Sequence, residues 1–259
     1  MKGWRRFLAR GVLPLAAWLL VWQGAVWYLQ AVRGIRTDLI LPAPLTVART
    51  LVELAGTAEF WHTTFLTLLR IFGGLLWGVL AGTALGAATR AWKWADWLFS
   101  PAIRVIRATP VASFSLLVIL WVVTGWVPVV VSGLMVLPVV WGNVSRGIAQ
   151  TDPLLLEAAR AYRFSRWKTV RLVYAPSVLP YFASACHTSL GLAWKAGVAA
   201  EVLCVPRLAI GTQVYFSKIY LETPALFAWT LVVLILSFLL ERALGSLLGR
   251  LEGGMRHAD

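Results

Sequence analysis

The sequence predicts an all-α polytopic membrane protein with about six transmembrane helices, and three observations carry that prediction. Of its 259 residues, 59% are hydrophobic and 14% charged, where a soluble domain carries about a quarter charged. Apolar runs near the ~20 residues that cross a bilayer recur along the chain. Lys and Arg, 24 against 11 Asp and Glu, gather at alternate ends of those runs, as the positive-inside rule requires. The net charge of +13 therefore sets topology, and nucleic-acid binding is set aside.

The spans fall at roughly 12–32, 62–89, 108–124, 127–145, 176–204 and 225–248. Lys2, Arg5, Arg6 and Arg10 precede the first, which places the N-terminus in the cytosol. The first run is too long for the apolar part of a signal peptide and no small-residue cleavage site follows, so it reads as a retained span. Arg90, Lys93, Arg104 and Arg107 form the next cytosolic group. Arg146, Arg160, Arg163, Arg166, Lys168 and Arg171 form another, and Arg242, Arg250 and Arg256 the last. Arg33, Arg36, Arg49, Arg207 and Lys218 fall on the opposite side. Trp22, Trp27, Trp61, Trp92, Trp97 and Trp126 lie near the expected interfaces, where amphipathic rings collect.

After the first span, Pro42 and Pro44 impose an extended approach to an amphipathic helix within 41–56, with Leu45, Val47, Leu51, Val52 and Leu54 as its apolar positions. In the second span Gly74, Gly78, Gly82 and Gly86 recur every four residues. Such a stripe admits another helix at close range, either as static packing or as a sliding interface. The third and fourth spans are joined through Thr124, Gly125 and Trp126, short enough for a helical hairpin. Cys186 and Cys204 share one span, about 27 Å apart at 1.5 Å per residue, too far for a disulfide.

No reactive constellation stands out. His62, His187 and His257 are widely spaced, there is no P-loop glycine run, and the carboxylates are scattered. The informative segment is 151–180. Asp152 is placed to cap a helix that begins at Pro153. Leu154, Leu155, Ala158, Ala159 and Tyr162 give that helix one apolar face, and Glu157 lies in its early turns, where the helix dipole favours a carboxylate. Ser165 caps a second helix, SRWKTVRLV, which returns to the bilayer at Pro176 and Pro180. By periodicity alone this is an interfacial connector. Held rigidly between two spans, it also suits transmission of force from a cytosolic partner.

EAARAYRFSRWK, followed by P-S-V-L-P, resembles the EAA loop of binding-protein-dependent ABC importer permeases. Glu157, Ala158, Ala159 and Pro180 match the pattern, while Arg163 stands at its glycine. P-A-P-L-T-V at 42–47, Arg107 with Pro110, Val111 and Ala112, and Trp194-Lys195 with Ala200-Glu201 are similar to segments of the nitrate/sulfonate/taurine-type subfamily. The resemblance implies a type I (MetI-like) permease fold: an N-terminal helix within 1–40, a core over 41–250 with a coupling helix at about 153–164, and a cytosolic tail at 251–259. It implies location in the bacterial cytoplasmic (inner) membrane and a second permease copy. Two cytosolic ABC ATPase subunits would hold ATP and Mg, this chain holding no cofactor, and an extracytoplasmic solute-binding protein would deliver the solute. Glu157, Ala158, Ala159 and Arg163 are then the ATPase-coupling residues.

Charges within spans are the remaining candidates. Lys195 would face an anion in the translocation path or bond carbonyls of a neighbouring helix; Glu201 would gate, meet the binding protein or snorkel to the interface. Arg70 and His187 read as structural hydrogen-bonding residues. The expected function is import of a small anion such as a sulfonate, taurine or nitrate. A vitamin precursor such as a thiamine-type pyrimidine is the alternative, and a secondary transporter without an ATPase a further one, although no inverted repeat is visible.

Overall fold

The computed structural model of the chain describes residues 13–33 and 39–255, and all regular structure among them is helical. The elements are α1 (Leu13–Arg33), α2 (Pro44–Ala55), α3 (Ala58–Ala91), α4 (Lys93–Ala108), α5 (Val111–Ile119), α6 (Val127–Ala149), α7 (Pro153–Ala161), α8 (Arg166–Thr169), α9 (Ala175–Cys204), α10 (Ile210–Ile219) and α11 (Thr223–Met255). Lys2, Arg5, Arg6 and Arg10, on which the orientation of the N-terminus rests, lie outside the described residues, as do Arg36, Arg256 and His257.

The chain divides into two compact units, residues 1–63 with 213–234, and residues 64–212 with 235–259. In the first, α2 forms where the two prolines direct it, with Pro44 in its first turn. Val47 is buried, Leu51 and Leu54 are half-buried on the same side, and Leu45 and Val52 face outward. Helix α1 is tied to the approach strand of α2 by Trp22, whose indole N–H donates to the Pro42 carbonyl at 3.0 Å. The Trp22 ring lies 5.7 Å from that of Phe227, and the Thr223 hydroxyl donates to the Leu39 carbonyl at 2.9 Å.

The second unit is organised by α3, α6 and α9. The glycine stripe of α3 is spent on packing against α6. A Cβ at Gly78 would stand 2.6 Å from the Gly133 carbonyl oxygen, and one at Gly82 would stand 2.8 Å from that of Leu137. Trp77, immediately before Gly78, lies over Gly133 and donates its indole N–H to the Val129 carbonyl at 3.0 Å. Near the other end of the helix pair, Trp141 donates to the Thr89 hydroxyl at 3.0 Å. Backbones this close gain dispersion contacts that lipid cannot supply. Helix α9 packs along α6, and its Ala183, Ala185, Ala193, Ala196 and Ala200 are all buried. With α5 these helices enclose a core of Val118, Val127, Val131, Ala196 and Ala200.

Four helical stretches among the described residues are long and apolar enough to cross a membrane: Leu13–Val32, Ala58–Ala91, Thr124–Ala149 and Thr223–Ser246. The expected third span, 108–124, takes a different form. Its helix, α5, has 9 residues, about 13 Å, short of a ~30 Å hydrocarbon core. It follows α4 across a bend of 110° at Thr109 and Pro110. Proline disfavours the helical conformation at the residue before it, and Thr109 is extended. Helix α9 has the length of a span at 30 residues but carries Lys195 and Glu201. The expected hairpin is present, with one 3₁₀ turn at Thr124–Trp126 leading into α6.

Candidate functional site

Helix α7 is built by the residues that announce it. The Asp152 carboxylate accepts the Leu154 N–H at 2.8 Å, and Pro153 occupies the first helical position. At the other end Arg163 has φ 50. Its N–H donates to the Arg160 carbonyl at 3.0 Å, and the Phe164 N–H donates to that of Ala159 at 2.9 Å. These two bonds form a Schellman cap, whose left-handed position usually holds glycine. The arginine thus changes the residue at this turn while the turn itself forms. Ser165 caps α8 by accepting the Lys168 N–H at 3.3 Å.

The apolar face expected on α7 divides in two. Ala159 is buried at 5% exposure, toward the rest of the unit. Glu157, Ala158 and Arg163 are exposed. Leu154, at 71%, and Tyr162, at 78%, project from the molecule together with Leu155, and Trp167 on α8 is equally open. From α8 the chain stays helical into α9 through a π turn at Val170–Tyr174. Pro176 has no N–H to return to the Leu172 carbonyl, and a widened turn at this point accommodates that loss.

Glu201 lies at the other end of α9, fully buried. Its Oε2 accepts the Thr67 hydroxyl at 3.0 Å and the Gly211 N–H at 3.1 Å. Its Oε1 is 3.6 Å from an Arg70 guanidinium nitrogen. Arg70 also donates to the Leu208 and Arg207 carbonyls, each at 2.9 Å, and the Thr67 hydroxyl accepts the Ile210 N–H at 3.0 Å. The carboxylate therefore neither snorkels nor faces an external partner; it joins α3 to the segment 207–211. Val205 and Leu208 within that segment hold φ of 48 and 51, a conformation unusual for β-branched or bulky side chains that persists where surrounding bonds impose it. Thr67 and Arg70 sit one turn apart on α3, a polar pair in an apolar run that marks them as partnered. Glu201 and Gly211 are too distant from that pair in sequence for a local pattern to connect them.

Lys195 is exposed on α9 and borders a cavity of about 360 Å³ shared with Arg107, Val111, Met135, Pro138 and Ala199. Arg107, grouped by its sequence position with the cytosolic cations, stands instead beside the middle of α6. His187 is exposed on α9.

Residues 74–252 match the family described as binding-protein-dependent transport system inner membrane component, and the chain belongs to that family. It is a membrane permease subunit of an ATP-driven importer, whose ATP hydrolysis resides in a separate subunit. Among its relatives, the taurine transport system permease protein TauC of Escherichia coli (strain K12) is 28% identical over 254 residues, which cover 96% of this chain and 92% of that protein. The putative aliphatic sulfonates transport permease protein SsuC of Bacillus subtilis (strain 168) is 26% identical over 209 residues, covering 80% and 75%. In fold, the chain resembles a bacterial ABC transporter involved in import of the acidic polysaccharide alginate, with TM-score 0.62, 15% identity, and 96% and 99% of the two chains covered.

Proposed function

We propose that this permease imports a small organic sulfonate, an alkanesulfonate or the zwitterionic taurine, working as a pair of identical chains with two cytosolic ATPase subunits and an extracytoplasmic solute-binding protein. The observation that carries the coupling part is the outward face of α7, Leu154, Leu155, Ala158 and Tyr162, on a helix capped at both ends and wired through α8 to a 30-residue span. Such a face fits an apolar groove of the ATPase. Glu157 and Arg163 flank it, and Ala159 anchors the helix from behind. Closure of the ATPase pair on ATP and Mg would draw two copies of α7 together and tilt the attached spans. The N-terminus then lies in the cytosol, on the same side as α7.

The substrate class is supported by relatives named for taurine and aliphatic sulfonates, which favours an anion over a vitamin precursor. Lys195 lies on the path, and Glu201 serves it by holding the external segment 207–211 in place. The test is purification of the tagged chain from native membranes in mild detergent, with intact-mass stoichiometry. An ATPase in equal amount, two copies of each, is expected. Ala158→Arg should leave the chain in the membrane and abolish transport-coupled ATP hydrolysis. A chain recovered alone, or normal coupling in Ala158→Arg, would remove the docking assignment.

A further inference from the structure

Pro138 falls at the midpoint of α6, about 16 Å from either end, and Lys195 lies about 14 Å before the end of α9. The cavity that these residues border is therefore at mid-span, and it receives two cations, Arg107 and Lys195. Neither pairs with a carboxylate: among the described residues the ion pair found is that of Arg70 with Glu201. The walls are otherwise apolar, with Val111, Met135 and Pro138 among them. Two unneutralised cations within a membrane are costly unless they face water or a counter-ion. Their proximity to one apolar cavity raises that cost, because the attraction for an anion and the repulsion between cations both grow as the dielectric falls.

From this arrangement we infer that Arg107 and Lys195 form an anion-selective subsite for a singly charged organic anion with a short apolar body. The inference rests on the importer reading above and assigns substrate chemistry within it. A cavity of about 360 Å³ is within the usual range for a small ligand. The guanidinium fork matches two oxygens of a sulfonate, Lys195 supplies a point charge, and the apolar wall receives the alkyl part. No carboxylate lines the cavity to take an ammonium group, so a plain alkanesulfonate fits it better than a zwitterion.

The test uses the permease–ATPase complex in phosphatidylcholine vesicles, with Cys186→Ala, Cys204→Ala and a single thiol introduced by Ala199→Cys. Val139→Cys, another wall position, gives an independent reading where Ala199→Cys does not assemble. Labelling by a sulfonatoethyl thiosulfonate reagent should run about tenfold faster than labelling by its trimethylammonioethyl counterpart. Arg107→Gln combined with Lys195→Gln should bring the two rates together, while Arg107→Lys with Lys195→Arg should keep them apart. Ethanesulfonate should slow labelling more than taurine does at the same concentration. Equal rates in the parent, or a preference that survives double neutralisation, would overturn the subsite. So would protection by added phosphatidylglycerol with none by ethanesulfonate, which would assign the cations to a lipid headgroup. Sulfonate uptake driven by ATP and the binding protein is measured separately. Its absence alongside an intact labelling preference would overturn the substrate reading of the importer while supporting the anion subsite.

Discussion

A carboxylate with no access to water and an arginine 3.6 Å away stabilise each other only as a set. Arg70→Met would leave the Glu201 charge buried with two hydrogen bonds and no counter-ion, a change that typically costs on the order of 3 kcal/mol. The expected result is a large fall in the thermal midpoint of the purified complex. Glu201→Gln should fall less, because an amide oxygen still accepts from Gly211 and Thr67 and no charge remains buried. If the two variants melted alike, the ion pair would be secondary to the hydrogen bonds. Arg163 makes the opposite prediction. A left-handed arginine carries a backbone penalty that glycine lacks, so Arg163→Gly should gain about 1 kcal/mol and retain coupled ATP hydrolysis, read as a raised midpoint with unchanged stimulated turnover.

Among elements, α3 and α6 depend on the absence of side chains on one stripe. A leucine at Gly78 has backbone atoms of Gly133 directly in its way, so the helices must separate or shift. Overpacking of this kind costs about 1–3 kcal/mol, and Gly78→Leu should lower the yield of assembled complex. Gly73→Ala serves as the control, since a Cβ there meets Val129 at an ordinary 3.8 Å and should leave the yield intact. Comparable yields for both would show that the helices can part freely there. Helix α7 allows a similar contrast. Ala158→Arg is expected to leave the fold and remove coupling, whereas Ala159→Arg forces a charged chain into a buried position and should reduce accumulation of the protein itself. Immunoblotting of membranes separates the two phenotypes.

For the whole molecule, α9 is the element that connects α7 and α8 to the segment 207–211. Its 30 residues extend about 45 Å, more than the ~30 Å of hydrocarbon. In a cysteine-free background, Tyr162→Cys should label with an impermeant maleimide only in inside-out vesicles, and Arg207→Cys only in right-side-out ones. Labelling of both from one side would reject α9 as a span.

Much of this organisation was legible in the sequence because it rests on local physics. Helix periodicity, the Asp152 and Ser165 caps, Pro153 at the helix start, the glycine stripe and the length of the apolar runs each depend on residues within a few positions of one another. Over 108–124, read as a short span, the helix is confined to Val111–Ile119 and enters from a bend at Thr109 and Pro110. Packing decided the remainder. Helix spacing alone gives Ala158 and Ala159 one face, and tertiary packing buries Ala159 while leaving Ala158 open. Glu201 reads as an isolated acid until Thr67, Arg70 and Gly211 close around it, and Arg107 reads as a cytosolic charge until the fold sets it on the same cavity as Lys195. Composition and short-range pattern are enough to specify an all-helical membrane permease and the capped helix α7. The partners of its buried charges were decided by tertiary structure, because a charge in a low-dielectric interior is satisfied by whatever the fold brings within a few ångströms, at any separation along the chain.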